Sequence, residues 1–208
     1  MPQSFEPKTQ ILPKAQREIW PPLAPAPGLS FVLYGGTAVA LYLGHTFMRD
    51  AQTIQEDENT LVVISPMQSG PVKISFFGGV AIGRVNEPLR TNDAMLLVAS
   101  LEDLLTTKLK AIMDRAEAKD YRDISAILSA GISLEKALGA FAKMYEKDPG
   151  PPLRAMGFFK DGDLPSLPKS DQDILRKARD RVSEIPDVTI AHGSLATTAP
   201  VSHQKRPQ

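Results

Sequence analysis

A short apolar strand at 31–34 runs into Gly35, Gly36 and Thr37, and from there into the apolar run "AVALYL". Two glycines let a ligand come close to the backbone. N–H groups at a helix start, with a threonine hydroxyl beside them, can bind phosphate. The same residues also serve as ordinary turn chemistry, so the motif taken alone is not specific. A phosphate-binding turn of this kind normally leads on to clustered carboxylates that hold a metal ion. Here the chain reaches Asp50 and passes, through only the nine residues 51–59, into the next strand, "TLVVIS".

A second group of candidates lies further on. Helical periodicity over 101–116 places Leu101, Leu104, Leu105, Leu109 and Ile112 in one stripe. Lys108 and Arg115 fall inside that stripe, whereas Lys110 falls on the opposite face. Two cations on an inward face either snorkel past the edge of the core or line a cleft that takes polyphosphate. The next helix, 119–130, buries Tyr121, Ile124, Ile127 and Leu128 and carries Asp120 in its first turn. A carboxylate there is favoured by the helix dipole whether or not it has a further role. Lys108, Arg115, Lys119 and Asp120 thus put mixed charge along one surface, as either a functional cleft or a structural ion-pair network would.

The elements that must position these residues follow from patterning. Strands are expected at 31–34, 60–65, 72–77 and 94–99, with 66–70 as the turn of a hairpin. The run 37–43 is apolar on every side and reads as a buried helix closed by Gly44. Helices at 101–116, 119–130, 134–146 and 171–184 fill the C-terminal half, the first started by Ser100 and the third by Ser133. Seven of the eighteen prolines fall in residues 1–30, where "KAQREIW" suits a short helix and "PPLAPAPG" an extended connector.

Composition narrows the chemistry. The 208 residues carry 24 basic and 24 acidic side chains and no cysteine. Thiolate metal sites, disulfides and a cysteine nucleophile are excluded, and a reducing cytoplasm is the expected compartment. His45, His192 and His203 have no metal-binding spacing. No apolar run reaches the ~20 residues of a membrane span, so no membrane partner is expected.

"LYGGTAVALYLGH" followed by "LEDLLTTKLKAIMDRAEAKDYRDI" resembles the AbiEii/AbiGii-type nucleotidyltransferase toxins of type IV toxin–antitoxin systems, within the polymerase-β-like superfamily. The resemblance covers roughly residues 10–185, with both motifs in order. It implies an α+β fold: a small mixed β-sheet with flanking helices, then a C-terminal helical region. The corresponding divisions are a Pro-rich segment with a short helix (1–30), a nucleotidyltransferase-like core (31–99), a helical region (100–186) and a disordered tail (187–208). It further implies a bacterial protein that binds an NTP and moves a nucleotidyl group to tRNA or protein, with Mg²⁺ as cofactor and an antitoxin encoded nearby. In that scheme Gly35, Gly36, Thr37, Lys108 and Arg115 bind the NTP, Asp50, Lys108 and Asp120 are catalytic, and Asp50 ligates the metal.

The chain departs from the family pattern, which continues Gly-His-Arg-x-Ser-x-Asp-x-Asp. Thr46 and Met48 replace the Arg and Ser, Asp50 takes the first aspartate position, and the second position is Gln52. Ser75 stands where many superfamily members place a third carboxylate. Glu56, Asp57 and Glu58 read as a polar turn. A deletion after Asp50 that removes the metal-binding segment accounts for these differences. The expected activity is therefore weak or absent, and the alternative is a non-catalytic relative that binds a nucleotide or a partner.

Overall fold

The structure is a computed structural model and describes residues 3–44, 60–80 and 82–192. Two small sheets and a helical body make up the fold. Strands β1 (Ser4–Phe5), β5 (Leu89–Thr91), β6 (Leu97–Val98) and β2 (Val32–Leu33) form one sheet in that spatial order. β1 pairs parallel to β5, β5 antiparallel to β6, and β6 parallel to β2, so the sheet is mixed. β3 (Thr60–Met67) and β4 (Gly70–Phe77) pair only with each other, as an antiparallel hairpin. The expected α+β class is what the chain adopts.

The helices are α1 (Lys14–Glu18), α2 (Gly35–Leu43), α3 (Leu101–Asp114), α4 (Ala118–Ser129), α5 (Leu134–Tyr145), α6 (Gly150–Ala155) and α7 (Lys169–Arg181). α2 buries the consecutive residues Ala38, Val39, Ala40 and Leu41, as its all-round apolar sequence requires. It lies against α3 and α4, and α3 in turn packs on α5. α3 starts where the Ser100 Oγ accepts the Asp103 N–H at 3.1 Å. Glu102 and Asp103 fill its first turn, and both the cap and the acids favour the helix start. The Asp103 carboxylate then accepts from Val85 N at 2.6 Å and Asn86 N at 3.2 Å, which pins the 85–86 turn to the start of α3. Burial pushes the Asp103 carboxyl above its ordinary value even with these donors. Leu104, Leu105, Leu109 and Ile112 form the buried stripe of α3, and Tyr121, Ile124 and Ile127 that of α4.

Several local expectations are corrected. The proline-rich "PPLAPAPG" is not extended: it winds into two 3₁₀ turns, Pro21–Leu23 and Pro27–Leu29, with a proline at the start of each. A fixed φ near −65° suits a 3₁₀ turn as well as it suits an extended chain. Residues 66–70 are not all turn, because Pro66 faces Pro71 and Met67 faces Gly70 within the ladder. The strand expected over 94–99 contracts to Leu97–Val98, since Ala94 takes a left-handed φ of 61°. Leu101, placed in the apolar stripe of 101–116, and Leu128, placed on the buried face of 119–130, are half-buried. The N-terminal segment supplies a sheet strand, β1, as well as a helix. The start of the expected tail is ordered: Ala191 exchanges backbone hydrogen bonds with Arg84, and Asp187 pairs with Lys143 at 2.8 Å. α6 forms between the helices expected at 134–146 and 171–184, its prolines sitting at the helix start, where the missing N–H costs nothing.

Candidate functional site

The junction of β2 and α2 is a sharp turn. Tyr34 is extended, and Gly35 follows with φ of 83°, a conformation that favours glycine. No neighbour lies within 4 Å of a Cβ added at Gly35, so its requirement for glycine is one of backbone and not of space. Gly35→Ala is expected to cost about 1–2 kcal/mol, the penalty of a left-handed L-residue. A chemical denaturation midpoint equal to wild type would contradict this. The first turn of α2 has no acidic residue and no side-chain cap, and Gly36 and Thr37 are exposed there.

Beneath this turn lies a compact ion cluster. Lys108, projecting from α3, is 6% exposed, and Asp120 and Asp123, both from α4, are 0% and 3% exposed. The Lys108 Nζ donates to Asp120 Oδ1 at 2.7 Å and sits 2.5 Å from Asp123 Oδ2. Arg115 Nε donates to the other Asp120 oxygen, Oδ2, at 2.8 Å. A methyl placed on Gly36 would lie 3.3 Å from Asp123 Oδ2 and 4.0 Å from Lys108 Nζ. The glycine turn, the lysine and both carboxylates therefore meet at one place.

Among the expected site residues, the structure brings Gly36, Lys108, Arg115 and Asp120 together, with Gly35 and Thr37 flanking Gly36 on the chain. The setting of Arg115 differs from expectation. α3 stops at Asp114, Arg115 is extended, and its side chain is 48% exposed, reaching back to Asp120 from the rim. Lys110 pairs with Asp114 and Arg122 approaches Asp171, both away from the cluster. Lys119 pairs with Glu117 at 2.6 Å. Asp50, Gln52 and the acids at 56–58 lie outside the described residues. Ser75 is exposed on β4.

Asp123 is the residue that sequence reasoning missed. Its signal was present: it stands three residues after Asp120, one turn along the same helical face.

Burial acting alone would raise the Asp120 carboxyl. The Arg115 hydrogen bond and the Lys108 charge outweigh it and hold the group below its usual range. Arg115 is correspondingly raised by its bond to Asp120. A depressed folded value means stability that is complete above the unfolded value of about 3.9 and is lost as pH falls through the lower folded value. Urea midpoints recorded from about pH 6 down to about pH 2.5 should fall more steeply for wild type than for Asp120→Asn. Parallel curves would remove Asp120 from the acid response.

The cluster does not fit a magnesium ion. Mg²⁺ asks for near-octahedral oxygen ligands, but both Asp120 oxygens already accept from cations and Asp123 Oδ2 faces the Lys108 ammonium. Among the described residues no group of three or more His, Cys, Asp or Glu side chains is arranged to hold a metal. No helix among them is long and apolar enough to cross a membrane.

The chain matches the family profile described as "Nucleotidyl transferase AbiEii toxin, Type IV TA system" over residues 45–189. The matched span contains Lys108, Arg115, Asp120 and Asp123, while the glycine turn precedes it. No curated protein and no solved structure matches the chain.

Proposed function

The chain belongs to the AbiEii nucleotidyl transferase toxin family, and on that premise we propose that it binds a nucleoside triphosphate at the α2 turn. The phosphates lie against the N–H groups of Gly35, Gly36 and Thr37. Lys108 is the cation beneath them, and Arg115 is a second cation at the rim. The observation that carries this reading is the position of the Lys108 ammonium, just under an exposed glycine turn at the start of a helix. A helix start with free N–H groups and a nearby ammonium is a suitable anion site. Asp120 holds Lys108 and Arg115 in place through its two oxygens and keeps both donors oriented.

The same reading takes the acceptor to be tRNA or protein and the partner to be an antitoxin, in keeping with a type IV toxin–antitoxin family. Nucleotidyltransferases generally use a divalent metal, which this reading takes to be Mg²⁺. The second aspartate position is Gln52 and the third carboxylate position is Ser75. These two departures favour weak transfer, or a relative that binds nucleotide without transferring it.

Equilibrium dialysis with labelled ATP, GTP, CTP and UTP tests the binding. Lys108→Gln, confirmed as folded by circular dichroism, is expected to weaken binding at least about tenfold, as loss of a charge-assisted contact does. Lys110→Gln, whose ammonium faces Asp114, is expected to bind as wild type. Equal effects of the two changes would place the nucleotide elsewhere.

A further inference from the structure

Lys108 carries one positive charge and faces two buried carboxylates. One of them, Asp120, also has Arg115. The other, Asp123, has its Oδ2 beside both the ammonium and the exposed glycine turn, 3.3 Å from the position a Gly36 Cβ would take. A phosphate that reached both the first N–H groups of α2 and the Lys108 ammonium would have to come up against that oxygen. α2 has no acidic residue in its own first turn, so the negative charge at its positive end is supplied from α4. We propose that Asp123 is an internal stand-in for a ligand phosphate, which competes for Lys108 at the Gly36 turn and so limits affinity for polyphosphate ligands. This rests on the reading of the turn as an anion site.

The consequence has a distinctive sign. Two like charges in a poorly hydrated contact repel by an amount that decides affinity. Removing the Asp123 charge without changing its shape should tighten anion binding. The same change loosens an ion pair that joins α3 to α4, so it should lower the melting temperature. A residue with only a structural part would lower both.

The experiment uses the full chain and two probes, inorganic tripolyphosphate and ATP, measured by calorimetry in wild type, Asp123→Asn and Asp123→Ser. Asp173→Asn, an exposed carboxylate on α7, controls for the change in net charge. Asp123→Asn is expected to bind tripolyphosphate about tenfold tighter than wild type, as relief of one like charge allows, and the control to bind as wild type does. Asp123→Ser serves the same comparison where the asparagine chain does not fold. Tighter tripolyphosphate binding with no ATP binding by any chain would uphold the competition and overturn the nucleotide reading. Unchanged or weaker tripolyphosphate binding in the folded variant, or none in any chain, would overturn the competition. ATP binding by wild type would in that case leave the nucleotide reading standing.

Discussion

Lys108→Met is expected to lower the stability of the fold by about 3–5 kcal/mol, the usual cost of leaving a buried charge without its partner. The lysine is 6% exposed and lies between carboxylates that are themselves 0% and 3% exposed. Methionine fills nearly the same volume, so packing changes little and the electrostatic loss dominates. Asp120 would keep Arg115, but Asp123 would lose the ammonium 2.5 Å from its Oδ2. The triple change Lys108→Met, Asp120→Asn, Asp123→Asn also removes the carboxylate charges that faced the ammonium and should recover most of the loss, because a buried ion cluster adds little net stability over neutral groups of the same shape. Urea denaturation of the two variants beside wild type checks both halves. A single variant within about 1 kcal/mol of wild type would mean the cluster is hydrated and behaves as a surface pair.

The fold was legible wherever one period dominated a long segment. α3, α4 and α5 follow from apolar residues at three- and four-residue spacing, and their starts from Ser100 and Ser133, each of which caps through its hydroxyl. The hairpin followed from two runs of β-formers, although Pro66 and Pro71 obscured how far its strands extend. A two-stranded ribbon has only edge strands, where proline is tolerated because no second neighbour needs its N–H. In the four-stranded sheet β2 and β6 fall inside the strands expected at 31–34 and 94–99, whereas β1, β5 and the pairing of all four were not legible. β1, β2 and β6 are two residues long, too short to carry a period. Their pairing is decided by where the helices bring the chain and not by their own sequence.

The candidate site was readable to the extent that helical phase fixes direction. Phase put Lys108 and Asp120 inward and Lys110 outward, and the structure gives those directions. It failed for Arg115, because the helix ends one residue earlier and the side chain reaches Asp120 from the rim. Asp123 was overlooked because a carboxylate next to Ile124, in a helix whose apolar face had already been assigned, looks like an edge residue. Only the position of Lys108 on the facing helix shows what holds it inside. The glycine turn could be recognised as permissive backbone, but what lies opposite Gly36 depends on the contact between α2 and α4, which no local pattern reports.

Transfer of a labelled nucleotide to tRNA or protein by this chain is expected to run about three powers of ten or more below that of a family member with both aspartates of the Asp-x-Asp pair, given what is lost when charge at the transferred group goes unstabilised. On the resemblance read from the sequence, Asp50 takes the first position, but Gln52 stands at the second and Ser75 at the third. The carboxylates the described residues do bring together, Asp120 and Asp123, face Lys108 and Arg115. A carboxylate that neutralises a buried ammonium cannot also serve a reacting phosphate without releasing that ammonium. The core among the described residues draws on α2, α3, α4 and α5, with Leu96, Val98 and Leu175 beside them, and the family match spans 45–189. Binding and transfer should therefore come apart: nucleotide retained at the α2 turn, little product formed. Parallel assays with Mg²⁺ or Mn²⁺ would measure this. Rates equal to the intact relative and abolished by Asp50→Ala would mean that Asp50 works with carboxylates other than those placed here.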